Sequence, residues 1–207
     1  MLQPEDCRLS VTDEDFAYLS LQQGAVADLA YDRSTWEKAY AERLYETYQS
    51  MVPYLPRRCS RILDIGSGLG GIDVLLNRHY GGKVEIVPVD GKEDRPVMER
   101  HALTFNSEKV TRQFLANNGV ARISYYAPTA LPSPTHFSLV VSIASWCFHY
   151  PPGVYLSFVR GCMQNRSRLI VDVRDREDWL SLMAQSFEEI ACANVARKSR
   201  RMVYGAL

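Results

Sequence analysis

Leu63-Asp64-Ile65-Gly66-Ser67-Gly68-Leu69-Gly70-Gly71 sets how the rest of this chain is read. A strand-like Arg61-Ile62-Leu63 enters it, and an apolar helical pattern, Ile72-Asp73-Val74-Leu75-Leu76, leaves it. Glycines at 66, 68 and 70 allow a tight turn and let a ligand approach main-chain atoms. Gly66, Gly68 and Gly71 also satisfy the dinucleotide pattern G-x-G-x-x-G. The carboxylate of Asp64, two residues before the first glycine, weighs against that ligand. A pyrophosphate at a helix N-terminus wants positive potential, whereas a cationic ligand welcomes the acid. A glycine-rich strand-to-helix turn with no ligand is the third reading.

Strands and helices alternate from residue 61 onward. Strands are expected at 61–65, 83–90, 122–126, 137–145 and 167–174, and helices at 70–79, 94–105, 108–117, 153–163 and 176–185. Pro88 inside the second strand is an objection, because proline cannot donate to a ladder. Leu139-Val140-Val141-Ser142-Ile143-Ala144 is nearly all apolar or small, as in a strand buried on both faces. Two last strands, 187–195 and 201–206, flank a hairpin turn at 196–200. The expectation is an α/β fold: a doubly wound, mostly parallel seven-stranded sheet with an antiparallel C-terminal hairpin. N-terminal helices precede it. Thr12 is a cap candidate with Asp13, Glu14 and Asp15 in the first turn. Ser34 would cap a longer helix whose Trp36, Tyr40, Leu44, Tyr48 and Met51 share one face, closed by Pro53 and Pro56. Residues 1–54 are read as a helical extension and candidate lid, and residues 55–207 as the ligand-binding domain.

The 207 residues are enough for one domain with a full core. Lys plus Arg and Asp plus Glu number 24 each, so no global field attracts nucleic acid or an anionic membrane. Cys7, Cys59, Cys147, Cys162 and Cys192 are scattered, odd in number and without a C-x-x-C pair. They read as neither a disulfide framework nor a metal site. A reducing, cytoplasmic location is expected. Met1 to Asp6 lacks a signal-peptide pattern, and no apolar run is long enough for a bilayer, so no membrane partner is expected.

Asp64, Gly66, Gly68 and Gly70 form acid-x-Gly-x-Gly-x-Gly at a strand-to-helix corner. This resembles the first motif of the class I S-adenosylmethionine-dependent methyltransferases. The resemblance spans about residues 55–207, and the late hairpin fits it. It implies a Rossmann-like transferase that uses S-adenosyl-L-methionine and methylates a small-molecule acceptor, with a hydroxyl favoured. It places Gly66, Ser67, Gly68 and Gly70 under the methionine part of the cofactor and Asp64 at its amino group. Asp90 ends the second strand, about twenty residues past the glycines, where an acid accepts from ribose hydroxyls. A carboxylate has two acceptor oxygens for the two donors of a diol. The plainer reading of Asp90 is a solvated turn residue before Gly91. Tyr126-Ala127-Pro128-Thr129 lacks the acid often found near adenine in this family, so no adenine contact is assigned.

The run Ser145-Trp146-Cys147-Phe148-His149-Tyr150-Pro151 is similar to one in some small bacterial methyltransferases, sugar O-methyltransferases among them. At that position the resemblance implies Ser145 against the cofactor, Trp146 in the acceptor pocket and His149 as general base. Tyr40, on the lid helix, is a further pocket candidate. The plainer readings are a histidine packed among aromatics and a helix packed on the sheet. Tyr150-Pro151-Pro152 reverses the order of the Asn/Asp-Pro-Pro-Tyr motif of amino methyltransferases and is not read as one. Arg57-Arg58 and Arg197-Lys198-Ser199-Arg200-Arg201 read as solvated turn charges, or as a phosphate-binding patch if adjacent. The rival functions are an RNA or DNA methyltransferase, a non-catalytic cofactor-binding module and a nicotinamide oxidoreductase. The sequence assigns no oligomeric state.

Overall fold

β1 (Arg61–Ile65) is the hub of the sheet, with four of its five residues buried. It pairs in parallel with β2 (Glu85–Val89) on one side and β5 (Leu139–Ser142) on the other. β7 (Arg168–Arg174) adds to β5 in parallel, and β9 (Ser199–Gly205) runs antiparallel between β7 and β8 (Glu188–Ala196). The order is β2-β1-β5-β7-β9-β8. This is a computed structural model; it describes residues 2–22, 33–91, 97–99, 102–104, 107–196 and 198–207.

The expected seventh strand, 122–126, lies beside β2 but joins it only through isolated bridges at Ile123 and Tyr126. Ile86 N donates to Arg122 O, Ser124 N to Ile86 O, Tyr126 N to Pro88 O and Asp90 N to Tyr126 O. A continuous ladder needs one more donor, at position 88, where proline has no N–H. Among the described residues the sheet proper therefore has six strands and a broken edge. The helix expected over 94–105 is also corrected. Its described residues form a separate antiparallel ribbon, β3 (Val97–Glu99) with β4 (Ala102–Thr104). The run contains Pro96, His101 and Thr104, all poor helix formers. The rest of that range lies outside the described residues.

Helices α3 (Gly71–His79), α4 (Glu108–Asn117), α5 (Leu156–Cys162) and α6 (Glu177–Ser186) cover the sheet. Before them come α1 (Asp13–Gln22) and α2 (Arg33–Met51). Thr12 caps α1: its Oγ1 accepts from Asp15 N at 3.2 Å, while Asp15 Oδ2 accepts from Thr12 N at 2.8 Å. α2 begins at Arg33, so Ser34 lies within the first turn instead of capping it. The fourth strand stops at Ser142, and a corner at residues 143–144 leads into β6 (Ser145–Tyr150).

Strand alternation splits the core into two layers. Ile62, Leu139, Val141, Ile170 and Val203 face one way and join Trp36, Tyr48 and Met51 of α2 with Leu75, Phe114 and Leu115. Leu63, Val140, Leu169 and Val171 face the other way, with Phe137, Trp146, Val159, Met183 and Phe187. α2 thus shares a core with the sheet. Each large apolar side chain buried there contributes about 1.5–3 kcal/mol. The five cysteines are free. Among the described residues no helix is long and apolar enough to cross a membrane.

Candidate functional site

The turn after β1 needs its glycines. Gly66, Gly68 and Gly70 have φ of 76°, 54° and 85°, values that L side chains rarely adopt. A Cβ on Gly66 would also collide with the hydroxyl of Ser145. The loop is tied from several sides. Gly66 N donates to Val89 O (2.8 Å), Gly70 N to Ser67 O (2.9 Å), and Thr111 Oγ1 of α4 to Gly68 O (3.0 Å). Ser67 Oγ makes a long contact to Gly68 O, at 3.4 Å.

Asp90 ends β2 and turns back onto this loop. Its Oδ2 accepts from Gly68 N at 2.6 Å and its Oδ1 from Gly91 N at 2.7 Å. These short charge-assisted bonds fix the carboxylate beside the glycines. Asp90 is therefore part of the loop's support and not merely a solvated turn residue.

Behind the loop stand two buried carboxyls. Asp64, on β1, is 2% exposed; Asp73, the third residue of α3, is 0% exposed. Among the described residues neither oxygen of Asp73 receives a donor. The amide it would meet in a capping box, Gly70 N–H, goes to Ser67 O instead. The carboxyls of Asp64 and Asp73 influence each other's ionisation. Burial raises both pKa values. Nearby Asp73 and Asp90 push Asp64 higher still, while Asp73 rises to about 7, an increase tempered by the neighbouring Asp64.

Asp73 was not singled out from sequence. The available signal was an acid inside the apolar run Ile72-Asp73-Val74-Leu75-Leu76. Its raised pKa has a stability consequence. Between the ordinary carboxylate range and about pH 7, the folded chain holds a proton that the unfolded chain has released. Stability contributed by this group falls as pH rises through that window. Urea unfolding at about pH 5 and about pH 8 should show wild type losing on the order of 2 kcal/mol more than Asp73→Asn does. Equal losses would show that the carboxyl is not perturbed.

Tyr40 lies over the start of α3. Its hydroxyl fills the space that a Cβ on Gly71 would need, and its ring stacks on Trp36 at 5.1 Å. Burial, then the charge of Asp73, raises the pKa of its hydroxyl.

Ser145 sits against Gly66 because of the corner before it. Ser142 Oγ donates to Ile65 O (2.7 Å) and accepts from Trp146 N (2.9 Å), locking the ends of β1 and β5 to the start of β6. Ala144 turns with φ of 52°, its N–H held by Asp172 Oδ2 at 3.1 Å. Asp172 also receives Arg201 Nε and Nη2, at 2.8 and 2.9 Å.

The structure thus gathers Asp64, Gly66, Ser67, Gly68, Gly70, Asp90, Ser145 and Tyr40 around one corner. Trp146 is elsewhere: it is fully buried in the core and its indole N–H donates to Pro152 O at 2.9 Å, leaving no surface for a ligand. His149 is exposed, near the far end of β6, its ring edge-on to Phe148 at 4.8 Å. It is four residues beyond Ser145, at most about 13 Å along an extended chain. Phe148 carries the guanidinium of Arg174 on its ring at 5.0 Å.

The basic cluster at the hairpin is corrected in part. Arg201 is only 8% exposed and is paired with Asp172, so it is not a solvated turn charge. Arg200 pairs with Asp175 at 2.9 Å, and Arg197 lies outside the described residues. A cleft of about 710 Å³ lies apart from the glycine loop, between the N-terminal segment and α2, lined by Glu5, Arg8, Glu37, Lys38 and Tyr45 among others. Among the described residues no group of His, Cys, Asp and Glu is arranged to hold a metal ion.

No protein-family model and no curated protein matches the sequence. Solved structures match its fold. MtNAS in complex with MTA and tNA aligns with a TM-score of 0.56 at 13% identity, over 94% of this chain and 72% of that one. The pyocyanin biosynthetic protein PhzM aligns with a TM-score of 0.60 at 15% identity, over 92% of this chain and 61% of that one. A SAM-dependent methyltransferase from Aquifex aeolicus aligns with a TM-score of 0.56 at 13% identity, over 78% of this chain and 88% of that one. This chain therefore spans less than two thirds of PhzM. At these identities the likeness is one of fold, the fold of S-adenosylmethionine-dependent methyltransferases.

Proposed function

We propose that this chain, which has the methyltransferase fold, moves a methyl group from S-adenosyl-L-methionine to a small-molecule acceptor, at a hydroxyl. The observation that carries the reading is the pair of buried carboxyls behind the glycine loop, one of them without any donor. A buried carboxylate without a partner is costly. A cationic amino-acid tail offsets the negative charge of these acids, whereas a pyrophosphate would add negative charge to negative charge. That favours the methyl donor over a nicotinamide dinucleotide.

When bound, S-adenosylmethionine supplies an electrophilic methyl group on a sulfonium. What the chain contributes is placement. The bare glycine backbone permits close approach, Asp64 receives the ammonium with the charge of Asp73 behind it, and Asp90, pinned by Gly68 N–H, presents its carboxylate to the ribose diol. Ser145 closes the corner over Gly66, and α2, through Tyr40, covers the start of α3. His149 takes the acceptor's proton from its exposed position on β6, where an entering hydroxyl can reach it.

Calorimetry with S-adenosylhomocysteine and with NAD tests the cofactor: binding of the first and not the second is expected, and the reverse would overturn the reading. Methyl transfer from labelled donor to a panel of hydroxyl compounds then tests the activity. His149→Ala should lower turnover about 10²-fold with little change in donor affinity. Normal turnover would remove His149 as base. The nucleic-acid reading has lost Arg201 to an internal ion pair. Steeply salt-dependent binding of an oligonucleotide would restore it. Donor binding without transfer to any acceptor would favour a non-catalytic module.

A further inference from the structure

We propose that the amino-terminal rim of the parallel sheet, at the edge opposite the glycine loop, is a docking face for the phosphate backbone of a nucleic acid. A strand held there is a partner and not the methyl acceptor.

The rim is assembled from five segments far apart in sequence: 56–61, 80–85, 119–123, 131–138 and 164–168. All of them are among the described residues. Parallel pairing gathers them, because β1, β2, β5 and β7 all start at this edge. Hydrogen bonds then tie the turns to one another. Glu85 N donates to Ser60 O, Ser138 N to Arg61 O, Arg168 N to Ser138 O and Ile86 N to Arg122 O. The hydroxyl of Tyr80 donates to Pro56 O at 2.9 Å, and Arg122 Nη1 reaches Lys83 O at 3.4 Å.

Charge is segregated here. The whole chain balances 24 basic residues against 24 acids, yet these segments hold Arg57, Arg58, Arg61, Lys83, Arg122, Arg166 and Arg168 with a single acid, Glu85. That acid is taken by Arg61 at 2.8 Å, with Arg122 at 3.9 Å. Arg57, Arg58, Lys83 and Arg166 are exposed, and among the described residues no carboxylate pairs with them. Glu188 and Glu189 open β8 and bound the rim two strands beyond β7. Arg57 and Arg58 thus find their basic neighbours here and not at the hairpin turn. That turn lies by the other ends of the strands, where Arg174, the last residue of β7, faces Ser199.

Shape and chemistry select the partner. At about 4.8 Å between strands, the charges from Arg122 to Arg168 form a row roughly 15–20 Å long. One small anion cannot span it, whereas successive phosphates can. All but one of these cations are arginines, whose flat fork suits phosphate oxygens. A folded protein partner needs apolar anchors. None of the exposed large hydrophobic side chains among the described residues lies in these segments. The length of β1 sets the rim about 13 Å from the glycine loop, so a strand docked there leaves the cofactor corner open.

Fluorescence anisotropy with a labelled single-stranded RNA of about 20 nucleotides, and with a DNA duplex of the same length, tests the proposal. Binding of either is expected near 1 μM at about 50 mM salt, with log affinity falling against log salt at a slope of about −3. The tighter of the two names the source of the phosphates. Combined Arg57→Glu, Arg58→Glu and Arg166→Glu should weaken binding at least about 10²-fold with an unchanged circular dichroism spectrum. The milder Arg57→Gln with Arg58→Gln should flatten the slope by about 1–2. Lys198→Glu, at the other edge, should change affinity less than about twofold, as should saturating S-adenosylhomocysteine. No binding at about 50 mM salt would overturn the proposal. Binding that the rim variants leave intact would overturn it too, and only that result restores the nucleic-acid methyltransferase reading. Equal affinity for poly-glutamate, or for phosphatidylserine vesicles, would overturn the choice of partner. None of these measurements needs the methyl donor to bind, so the cofactor reading stands or falls separately.

Discussion

Asp90→Ala should weaken binding of S-adenosylhomocysteine by about 10³-fold and leave the fold standing. The carboxylate has two tasks in the proposed site. It accepts from Gly68 N at 2.6 Å and from Gly91 N at 2.7 Å, which fixes the glycine loop relative to the end of β2. It also presents its oxygens to the ribose diol. A hydrogen bond to a charged group is worth about 1.5–3 kcal/mol, so loss of both ribose bonds alone accounts for about 3–6 kcal/mol. Each 1.4 kcal/mol is tenfold in affinity. Asp90 lies at a strand end outside the two core layers, so loss of its bonds to Gly68 N and Gly91 N should lower urea stability by only about 2–3 kcal/mol. Asp90→Asn keeps one acceptor and should fall between the two. A loss of affinity below about tenfold in Asp90→Ala would show that the ligand does not use this carboxylate.

Much of this arrangement was legible beforehand, and the reasons differ from residue to residue. β1 was readable because its apolar residues end abruptly at three glycines, each of which adopts the left-handed backbone that glycine alone tolerates cheaply. β5 and β7 were readable because near-continuous apolar runs mark strands buried on both faces. The third strand was over-read. Its own residues do lie alongside β2, but a ladder belongs to two strands, and Pro88 on the partner withholds the donor. Trp146 was placed in the pocket by its neighbours in sequence, yet an indole of that size is more strongly drawn into the core, where Pro152 O receives its N–H.

Asp73 and Arg201 mark the limit of one-dimensional reading. Asp73 looks like a first-turn acid favoured by the helix dipole. Only packing of α3 against the sheet reveals that its carboxyl is fully buried and, among the described residues, meets no donor. Arg201 closes a run of four basic residues in five and so reads as part of a solvated turn. Its burial follows from register: β9 sets Arg201 directly opposite Asp172 of β7, at a position that faces inward. Neither the register nor the partner can be seen in the local sequence.

That ion pair carries the largest stability effect expected in the molecule. Asp172 and Arg201 are both more than nine-tenths buried, and their two bonds, 2.8 and 2.9 Å, make a fork between adjacent antiparallel strands. Arg201 Nη1 continues to Ser50 Oγ on α2 at 2.8 Å, and Asp172 Oδ2 holds the strained corner at Ala144. Asp172→Ala would leave a guanidinium buried without its counter-ion, at a cost of about 3–5 kcal/mol. For a chain of this length that lowers Tm by about 10 °C. Replacing both partners, as in Asp172→Leu with Arg201→Met, removes the stranded charge and should recover most of the stability. It would not recover the bond to Ala144 N–H, which helps hold the turn that sets Ser145 over Gly66. The double variant should therefore melt close to wild type yet bind S-adenosylhomocysteine several-fold more weakly. If the double variant melts as low as Asp172→Ala, stranded charge is not the cause. If it melts normally and binds normally, Asp172 supports the sheet but not the cofactor corner.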